Sequence, residues 1–232
     1  MESKIKYSIA IPCFNEGKNI EILIEKCIKL INSSDIEVII VDNGSTDDSF
    51  NCCNNLNIDH LSILRLDKNI GYGGGILKGL QKAKGEFIGW THADLQTDIF
   101  DIKKAMLLSG TNKFIKGARS GRRALDCFFS FGMSIFESLL LKKFLWEINA
   151  QPTLFPKEFF LKWQNPPKDF SLDLYAYYSA KRHNLEIKRM KVLFPPRIYG
   201  ASSWNNGIAS KIKLIKRTIS YSLELKKNSF TD

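Results

Sequence analysis

Side chains that could bind a metal follow a short apolar run in segment 85–98. The run 87–90 has the composition of a buried strand. His92, Asp94 and Gln96 come after it at every second position, so an extended chain would direct all three to one side. An imidazole, a carboxylate and an amide that converge can hold a divalent metal. A polar turn before a helix capped by Asp98 explains these residues equally well.

Three more loops of polar or glycine-rich sequence follow apolar, strand-like segments. The segments span 7–11, 37–41 and 61–66, and the loops after them span 15–17, 42–48 and 69–75. Segment 37–41 is rich in β-branched residues, which is typical of a strand buried on both faces of a parallel sheet. Four polar loops therefore follow four predicted strands.

Helix-like segments alternate with these strands. After Gly17, apolar residues recur at helical spacing from Ile20 to Ile28, and a second such segment follows Gly75. Alternating strands and helices predict right-handed crossovers and a doubly wound, mostly parallel α/β sheet with helices on both faces. The four loops then meet at one edge of the sheet, where open sheets of this kind bind ligands.

The loop residues suit a nucleotide ligand. The carboxylates of Glu16 and Asp42 can accept hydrogen bonds from a base or a ribose, and the glycines of 71–75 let backbone N–H groups approach phosphate. The glycine loop follows the third strand with the wrong spacing for a dinucleotide fingerprint. For Asp42 a turn before Gly44, and for Glu16 a favourable helix-start charge, are the alternatives.

Composition limits the classes of partner and compartment. The net charge of +10 favours anionic partners, but no recognisable nucleic-acid-binding module is present, so we expect no nucleic-acid partner. The five cysteines have neither disulfide-framework nor zinc-site spacing, which predicts free thiols in a reducing cytoplasm. The most apolar stretch, 127–136, is too short to span a membrane. We therefore expect a cytoplasmic protein that does not itself cross the membrane.

Taken together, the loops resemble the ordered motifs of family 2 glycosyltransferases, which have the GT-A fold. The strong part of the resemblance covers residues 7 to about 116, and the motifs are Ile11–Glu16, Val41–Asp47, Asn69–Gly75 and Ala93–Gln96. A looser resemblance continues through 116–119, 148–152 and 197–204. Within the family, the chain is most similar to dolichyl- and polyprenyl-phosphate sugar synthases.

The resemblance implies an inverting, metal-dependent transfer of a sugar from a UDP- or GDP-linked donor to a polyprenyl or dolichyl phosphate. It implies donor-binding roles for residues of the four motifs: Pro12, Asn15, Glu16, Asp42, Ser45, Asn69, Gly71, Gly73 and Asp94. Transfer to a saccharide hydroxyl in surface-glycan assembly is the alternative reaction. A non-catalytic nucleotide-sugar-binding homologue is the alternative outside enzymes.

The expected metal site departs from the family pattern at one position. The family usually has two acidic residues flanking one position, and here His92 replaces the first of them, which leaves Asp94 as the single carboxylate. The resemblance implies metal-facing roles for Asp94 and Gln96. These oxygen ligands suit Mn²⁺ or Mg²⁺, and an imidazole ligand from His92 would favour Mn²⁺. A neutral spacer role is the alternative for His92.

Basic residues in the second half are candidates for phosphate binding. By resemblance, Arg119 and Arg197 lie near phosphates and assist catalysis, and the predicted acceptor site also includes Arg122, Arg123 and Ser202. A solvated basic face is the alternative for all four arginines, and it is favoured over function for Arg122 and Arg123. A phosphate acceptor is already ionised, whereas a hydroxyl acceptor needs a general base, for which Asp173 is the best candidate. A helix-start carboxylate is the alternative role for Asp173.

We divide the predicted single domain into a nucleotide-sugar half (1–116), an acceptor half (117–207) and a basic amphipathic helix (208–232). The helix could rest on an anionic membrane surface or pack on the sheet. Segment 125–145 is apolar on most sides, and we expect burial rather than contact with lipid or another subunit. A lipid acceptor requires a peripheral position at the cytoplasmic face of a membrane. Homo-oligomerisation stays open.

Overall fold

The computed structural model describes residues 5–17, 19–32, 35–53, 56–122, 124–195 and 208–228. The strands are β1 (Tyr7–Cys13), β2 (Ile36–Asp42), β3 (Leu61–Arg65), β4 (Phe87–Trp90), β5 (Lys113–Ser120), β6 (Thr153–Pro156) and β7 (Glu186–Leu193). The helices are α1 (Asn19–Ile31), α2 (Tyr72–Lys82), α3 (Asp101–Leu108), α4 (Ala124–Leu141), α5 (Lys157–Phe160), α6 (Leu172–Arg182) and α7 (Ile208–Asn228).

The seven strands form one sheet in the order β3-β2-β1-β4-β6-β5-β7. Strand β6 runs antiparallel to β4 and β5, and the other neighbouring pairs are parallel. This confirms the predicted doubly wound, mostly parallel sheet. Because β1 lies between β2 and β4, the strand order reverses there, and a crevice opens at the carboxyl ends of β1 and β4.

Helices cover both faces because side chains along each strand alternate between the faces. Ile9 and Ile11 of β1 pack in a cluster that includes α1 and α3. Ala10 packs in a second cluster that includes α2, α4, α6 and α7. Burying one aliphatic side chain stabilises the fold by roughly 1.5–3 kcal/mol. The two clusters therefore stabilise the sheet that carries the loops at its edge.

The expected burial of segment 125–145 is wrong for one face of α4 and for the turn after it. Phe128, Leu139 and Phe144 have exposed fractions of 71%, 76% and 71%, and Phe129, Phe131, Ile135 and Trp146 are also exposed. A helix that is apolar on most sides has more apolar surface than one neighbouring layer can cover. Leu141 and Leu145 are buried, as are the polar Ser134 and Glu137.

Helix α7 packs back on the domain through its C-terminal half. Ser222 and Leu225 are buried, and Tyr221 packs against the same cluster as α2 and α6. Helix α7 also contacts α4. Lys216, Leu223 and Lys227 remain exposed on α7. Packing on the protein therefore explains part of its apolar stripe. In the described part of the chain, we find no helix with the length and apolar character needed to cross a membrane.

Candidate active site

A cavity of about 1130 Å³ opens where strands β1, β2 and β4 end. The residues that follow these strands contribute Asn15, Asn43 and Asp94 to its wall. The glycine loop before α2, the end of β5, and helices α4, α6 and α7 form the rest of the wall. Polar loops predicted from four separate segments therefore share one cavity, as expected for the carboxyl edge of such a sheet.

The first two loops are tied together by the amide of Asn15. Its side chain accepts a hydrogen bond from the backbone N–H of Thr46 (2.8 Å), and its own N–H donates to Ser45 Oγ (3.1 Å). Asn15 has a φ of 54°, in the left-handed region that asparagine tolerates better than most residues. Asp42 accepts from the N–H of Ser45 (2.9 Å), which is the turn role named as its alternative.

Asn43 fixes the third loop against the second, a role that the sequence analysis missed. Its Nδ2 donates to the carbonyl of Gly71 (2.9 Å), and its Oδ1 accepts from the N–H of Ile70 (3.1 Å). Asn69 also accepts from the N–H of Gly71 (2.8 Å). The signal in the sequence was the position of Asn43 directly after a buried strand. An asparagine that only forms a turn would have the same position, so the sequence did not distinguish the two roles.

The glycines at the start of α2 permit a close approach by the segment before α6. A Cβ on Gly71 would lie 2.3 Å from the carbonyl oxygen of Lys168, and one on Gly73 would lie 2.6 Å from that of Asp169. The N–H of Gly74 donates to the Lys168 carbonyl (2.8 Å). The predicted donor residue Gly73 does not line the cavity, because it faces this segment instead.

His92, Asp94 and Gln96 all line the cavity, although not for the predicted reason. The chain leaves β4 in a series of bends, and Leu95 has a φ of 57°, so the segment is not extended. The carboxylate of Asp94 accepts from the N–H of Gln96 (3.2 Å), which holds the turn. The Gln96 amide donates to the carbonyl of Pro195 (3.1 Å) after β7. A local turn, rather than strand alternation, brings the three together.

The donor set around Asp94 suits a hard divalent cation that is completed by substrate oxygens. Among the described residues, no three His, Cys, Asp or Glu side chains form a metal cage. Asp94 is 9% exposed and lines the cavity. Mg²⁺ and similar ions are commonly held by one or two carboxylates together with phosphates of the substrate. The site therefore fits Mn²⁺ or Mg²⁺ bound together with a nucleotide diphosphate.

Two arginines that also line the cavity share one carboxylate. Glu147 lies 2.6 Å from Arg119 Nε and 3.0 Å from Arg122 Nη1. Burial would raise the pKa of the Glu147 carboxyl, but the hydrogen bond and charge of Arg119, with Arg122, outweigh it and lower the pKa. Both arginines line the cavity, and Arg122 also donates to Ser130 Oγ on α4 (2.8 Å). Sequence reasoning missed Glu147, because only the folded chain brings it to the arginines.

Asp173 lies in the cavity wall within a buried polar network. It accepts from Gln151 Nε2 (2.7 Å) and from Lys116 Nζ (3.3 Å). Burial lowers the pKa of Lys116 to about 8, although the Asp173 carboxylate opposes this shift. Burial also raises the pKa of the nearby Tyr72 hydroxyl, and Asp173 adds to that shift. The carboxylate thus stabilises a buried cation. Its use as a general base stays a prediction.

A line of aromatic contacts links the turn after β4 to helix α7. The ring of Tyr72 lies 5.7 Å from that of His92 and stacks on Phe170 at 4.4 Å. The guanidinium of Arg217, on α7, lies 5.5 Å from the Phe170 ring. Its Nε is 3.2 Å from Asp169 Oδ2. In the sequence analysis, Arg217 was only one residue of the basic amphipathic helix 208–232. In the structure it lines the cavity.

The predicted residues divide into three groups by position. Those that line the cavity are Pro12, Asn15, Glu16, Asn69, Gly71, His92, Asp94, Gln96, Arg119, Arg122 and Asp173. Asp42, Ser45 and Gly73 are not in the cavity lining, but they contact the loops that form it. Arg123, Arg197 and Ser202 lie outside the described residues.

The N-terminal half of the chain matches a known protein family. Residues 8–119 match glycosyl transferase family 2. The chain is 26% identical over 142 residues to undecaprenyl-phosphate 4-deoxy-4-formamido-L-arabinose transferase of Proteus mirabilis, covering 59% of this chain and 44% of that protein. It is 30% identical over 108 residues to human dolichyl-phosphate beta-glucosyltransferase, covering 42% and 33% respectively. The matches thus span less than half of these relatives.

Solved structures confirm the predicted GT-A fold. Glucosyl-3-phosphoglycerate synthase of Mycobacterium tuberculosis, solved with Mn²⁺, UDP and phosphoglyceric acid, superposes with a TM-score of 0.72 at 15% identity. The alignment covers 97% of this chain and 79% of that one. S. aureus TarS 1-349 superposes with a TM-score of 0.55 at 18% identity, over 81% and 60% of the chains. At these identities the likeness concerns the fold alone.

Proposed function

We propose that this chain, whose residues 8–119 match glycosyl transferase family 2, transfers a sugar with inversion from a UDP- or GDP-linked donor to a polyprenyl or dolichyl phosphate. One observation carries the proposal. A single cavity contains the carboxylate of Asp94 on one wall and the guanidinium groups of Arg119 and Arg122 on another. A donor diphosphate with its cation and an acceptor phosphate would each find a matching charge there.

The reaction would depend mainly on charge and position. An oxygen of the acceptor phosphate attacks the anomeric carbon from the face opposite the nucleotide, and the bond from that carbon to the donor diphosphate breaks. Positive charge develops on the sugar ring and negative charge on the leaving diphosphate. Cationic groups fixed near that diphosphate therefore lower the barrier without having to reorganise.

The residues of this chain have distinct parts in that scheme. A bound Mn²⁺ or Mg²⁺, held by Asp94 and donor phosphate oxygens with Gln96 nearby, would neutralise charge on the leaving group. The loop around Asn15 and the loop fixed by Asn43 would hold the nucleotide. Arg119 and Arg122, kept in place by Glu147, would bind the acceptor phosphate. His92 as a metal ligand remains a proposal.

Two observations favour a phosphate over a hydroxyl acceptor. The printed names of the two relatives above are those of undecaprenyl-phosphate and dolichyl-phosphate transferases. In addition, Asp173, the best candidate base for a hydroxyl, already accepts from Lys116 and Gln151. A carboxylate that already accepts from two buried donors has fewer lone pairs free for an incoming hydroxyl. Transfer to a saccharide hydroxyl is the second candidate, and a non-catalytic nucleotide-sugar-binding protein the third.

A lipid acceptor also requires contact with a membrane, and we propose a peripheral position at its cytoplasmic face. The exposed Lys216 and Lys227 of α7 provide positive charge toward anionic lipid. The exposed apolar side chains of α4, led by Phe128 and Leu139, provide area that can enter the headgroup region. Helices α4 and α7 contact each other, so the two features lie on neighbouring helices.

The proposed function can be tested in two steps. Thermal stabilisation by UDP- and GDP-sugars, with and without Mn²⁺, identifies the donor, since a ligand that binds only the folded state raises Tm. Labelled donor is then incubated with a short-chain prenyl phosphate and, separately, with free saccharides. Product formed on the prenyl phosphate alone supports the proposal. Product formed only on saccharides, or none with a donor that binds, contradicts it.

A further inference from the structure

The C-terminal helix carries a cation into the reaction cavity. Arg217 of α7 lines this cavity together with Ile215 and Thr218 of the same helix. Lys216, the next residue along, is exposed. Because adjacent helical residues point about 100° apart, the side chains of Arg217 and Lys216 have different surroundings despite their common charge. Arg217 therefore differs from Lys216 in its position on the helix and not in its charge.

Contacts from the segment before α6 hold the Arg217 side chain. Its Nε lies 3.2 Å from Asp169 Oδ2, and its guanidinium lies 5.5 Å from the ring of Phe170. The Phe170 ring is itself fixed by its stacking on Tyr72 at 4.4 Å. A carboxylate and an aromatic face together restrict a guanidinium to a narrow range of positions.

We propose that Arg217 is an anion-binding residue of the reaction cavity, positioned by Asp169 and Phe170 so that α7 contributes directly to substrate binding. The inference rests on the proposed function, because the anion would be a phosphate group of the donor or of the acceptor. A guanidinium has five N–H donors in a planar fork, so it can contact Asp169 and still bind phosphate oxygens. Its side chain is 33% exposed and lines the cavity, while its Nε and Nη2 atoms are buried.

The test compares Arg217→Gln with Lys216→Gln, which removes the same charge from the adjacent, exposed position. Calorimetry measures the Kd for pyrophosphate, UDP and GDP in the presence of Mn²⁺. Initial rates give kcat and the KM for a short-chain prenyl phosphate. If Arg217 binds the donor diphosphate, Arg217→Gln raises the Kd values about tenfold or more. If it binds the acceptor, the KM rises by a similar factor. Both measurements use soluble ligands without vesicles, so Lys216→Gln, at a position proposed to face the membrane rather than the cavity, changes neither quantity.

Two further variants separate binding from a merely structural role. Arg217→Lys keeps the charge but loses the planar fork, so we expect an intermediate loss of affinity at a near-parental Tm. Asp169→Asn removes the positioning carboxylate and should weaken the same affinity by a smaller factor. If Arg217→Gln and Arg217→Lys match Lys216→Gln in every Kd and KM, and differ from it in Tm alone, the proposal is overturned.

Failure of this inference can be told apart from failure of the proposed function. A parent protein that transfers no sugar to prenyl phosphate would overturn the proposed reaction. Weaker pyrophosphate binding in Arg217→Gln than in Lys216→Gln would still support the anion site. Conversely, normal transfer by Arg217→Gln, with parental Kd and KM values, would leave the reaction in place and overturn the role of Arg217.

Discussion

Lys116 and Asp173 form a buried ion pair beneath the cavity, with 3.3 Å between Nζ and the carboxylate oxygen and side-chain exposures of 0% and 2%. Lys116 also donates to Thr153 Oγ1, and Gln151 donates to Asp173. The pair connects β5 to α6. The stability of a buried charge depends strongly on its partner, because water cannot reach the site to take the partner's place.

We predict that Asp173→Asn destabilises the fold by about 3–5 kcal/mol, because Lys116 then either stays charged without its buried partner or gives up its proton. Urea unfolding measures this loss, and Asp67→Asn, at an exposed carboxylate, is the matched control. Combining Asp173→Asn with Lys116→Met should recover much of the stability. An Asp173→Asn protein as stable as its parent would contradict the structural role of the pair.

The same variant also addresses catalysis. If the acceptor is a phosphate, transfer per folded molecule should change little in Asp173→Asn when measured well below its Tm. A loss of transfer by several orders of magnitude, with donor affinity retained, would identify Asp173 as the base for a hydroxyl acceptor.

The second prediction concerns Asp94, the buried carboxylate of the turn that we propose to bind the metal. Asp94→Asn removes the negative charge that attracts the cation, so metal-dependent transfer should be lost while Tm without ligand stays close to that of the parent. Asp98→Asn, four residues later and outside the cavity lining, should transfer normally. Parental transfer by Asp94→Asn at the same metal concentration would show that the metal site lies elsewhere.

The third prediction tests the imidazole of His92. If it ligates the metal, His92→Ala weakens the dependence on Mn²⁺ and His92→Asp shifts the preference toward Mg²⁺, since a hard carboxylate replaces an imidazole. His92 also lies against the ring of Tyr72, so His92→Phe serves as a control that keeps an aromatic contact. Identical metal titrations for the parent and all variants would return His92 to the role of a spacer.

Much of the fold could be predicted from the sequence because its signals are local. Four apolar segments, each followed by a polar loop, were enough to place β1 to β4 and the ligand-binding edge. We expected strand alternation to direct Asp94 toward the ligand-binding edge. In the structure, a turn at Leu95 directs it there instead. The composition of this segment fits both a turn and an extended strand end, because the two contain similar polar residues.

Other parts of the site could not be read from the sequence. Glu147 meets Arg119 across 28 positions of the chain, and Arg217 meets Asp169 across a still longer stretch. Such pairs depend on how β5, α6 and α7 pack, and no local pattern encodes this. The exposure of α4 was missed for the same reason, since an apolar helix looks the same in sequence whether or not a partner covers it.

The fourth prediction concerns the pH dependence of stability through Glu137, a carboxyl of α4 in the cavity wall. Burial raises its pKa from 4.5 to about 8. Between about pH 5 and pH 8 the folded state therefore binds more protons than the unfolded state, so the stability contributed by this group falls as pH rises. The slope reaches up to about 1.4 kcal/mol per pH unit.

Glu137→Gln should flatten this part of the stability profile, because glutamine does not titrate. Urea unfolding at several pH values gives the comparison, and Glu21→Gln, at an exposed position on α1, is the control. A parent and a Glu137→Gln protein with parallel profiles from pH 5 to pH 8 would contradict the shifted pKa.

The last prediction distinguishes the two parts of the proposed membrane surface. Replacing Phe128 and Leu139 of α4 with Ser should reduce sedimentation with anionic vesicles, because each removes exposed apolar area that would otherwise enter the headgroup region. Replacing Lys216 and Lys227 of α7 with Glu should also reduce it, and this loss should be masked at high salt. Leu107→Ser, on α3 with an exposed fraction of 87%, is the apolar control.

Transfer assays then connect the surface to the reaction. If α4 and α7 bring the protein to its acceptor, all of these variants except Leu107→Ser should lose transfer to prenyl phosphate in vesicles yet keep transfer to a soluble short-chain prenyl phosphate. Light scattering provides the competing measurement, because an apolar face can equally bind a second copy of the chain. A parent protein that is dimeric, and that becomes monomeric in the α4 double variant without any change in vesicle binding, would assign the α4 face to self-association. Unchanged sedimentation in the α7 variant would likewise remove α7 from the membrane surface, and the acceptor would then have to reach Arg119 and Arg122 by another route.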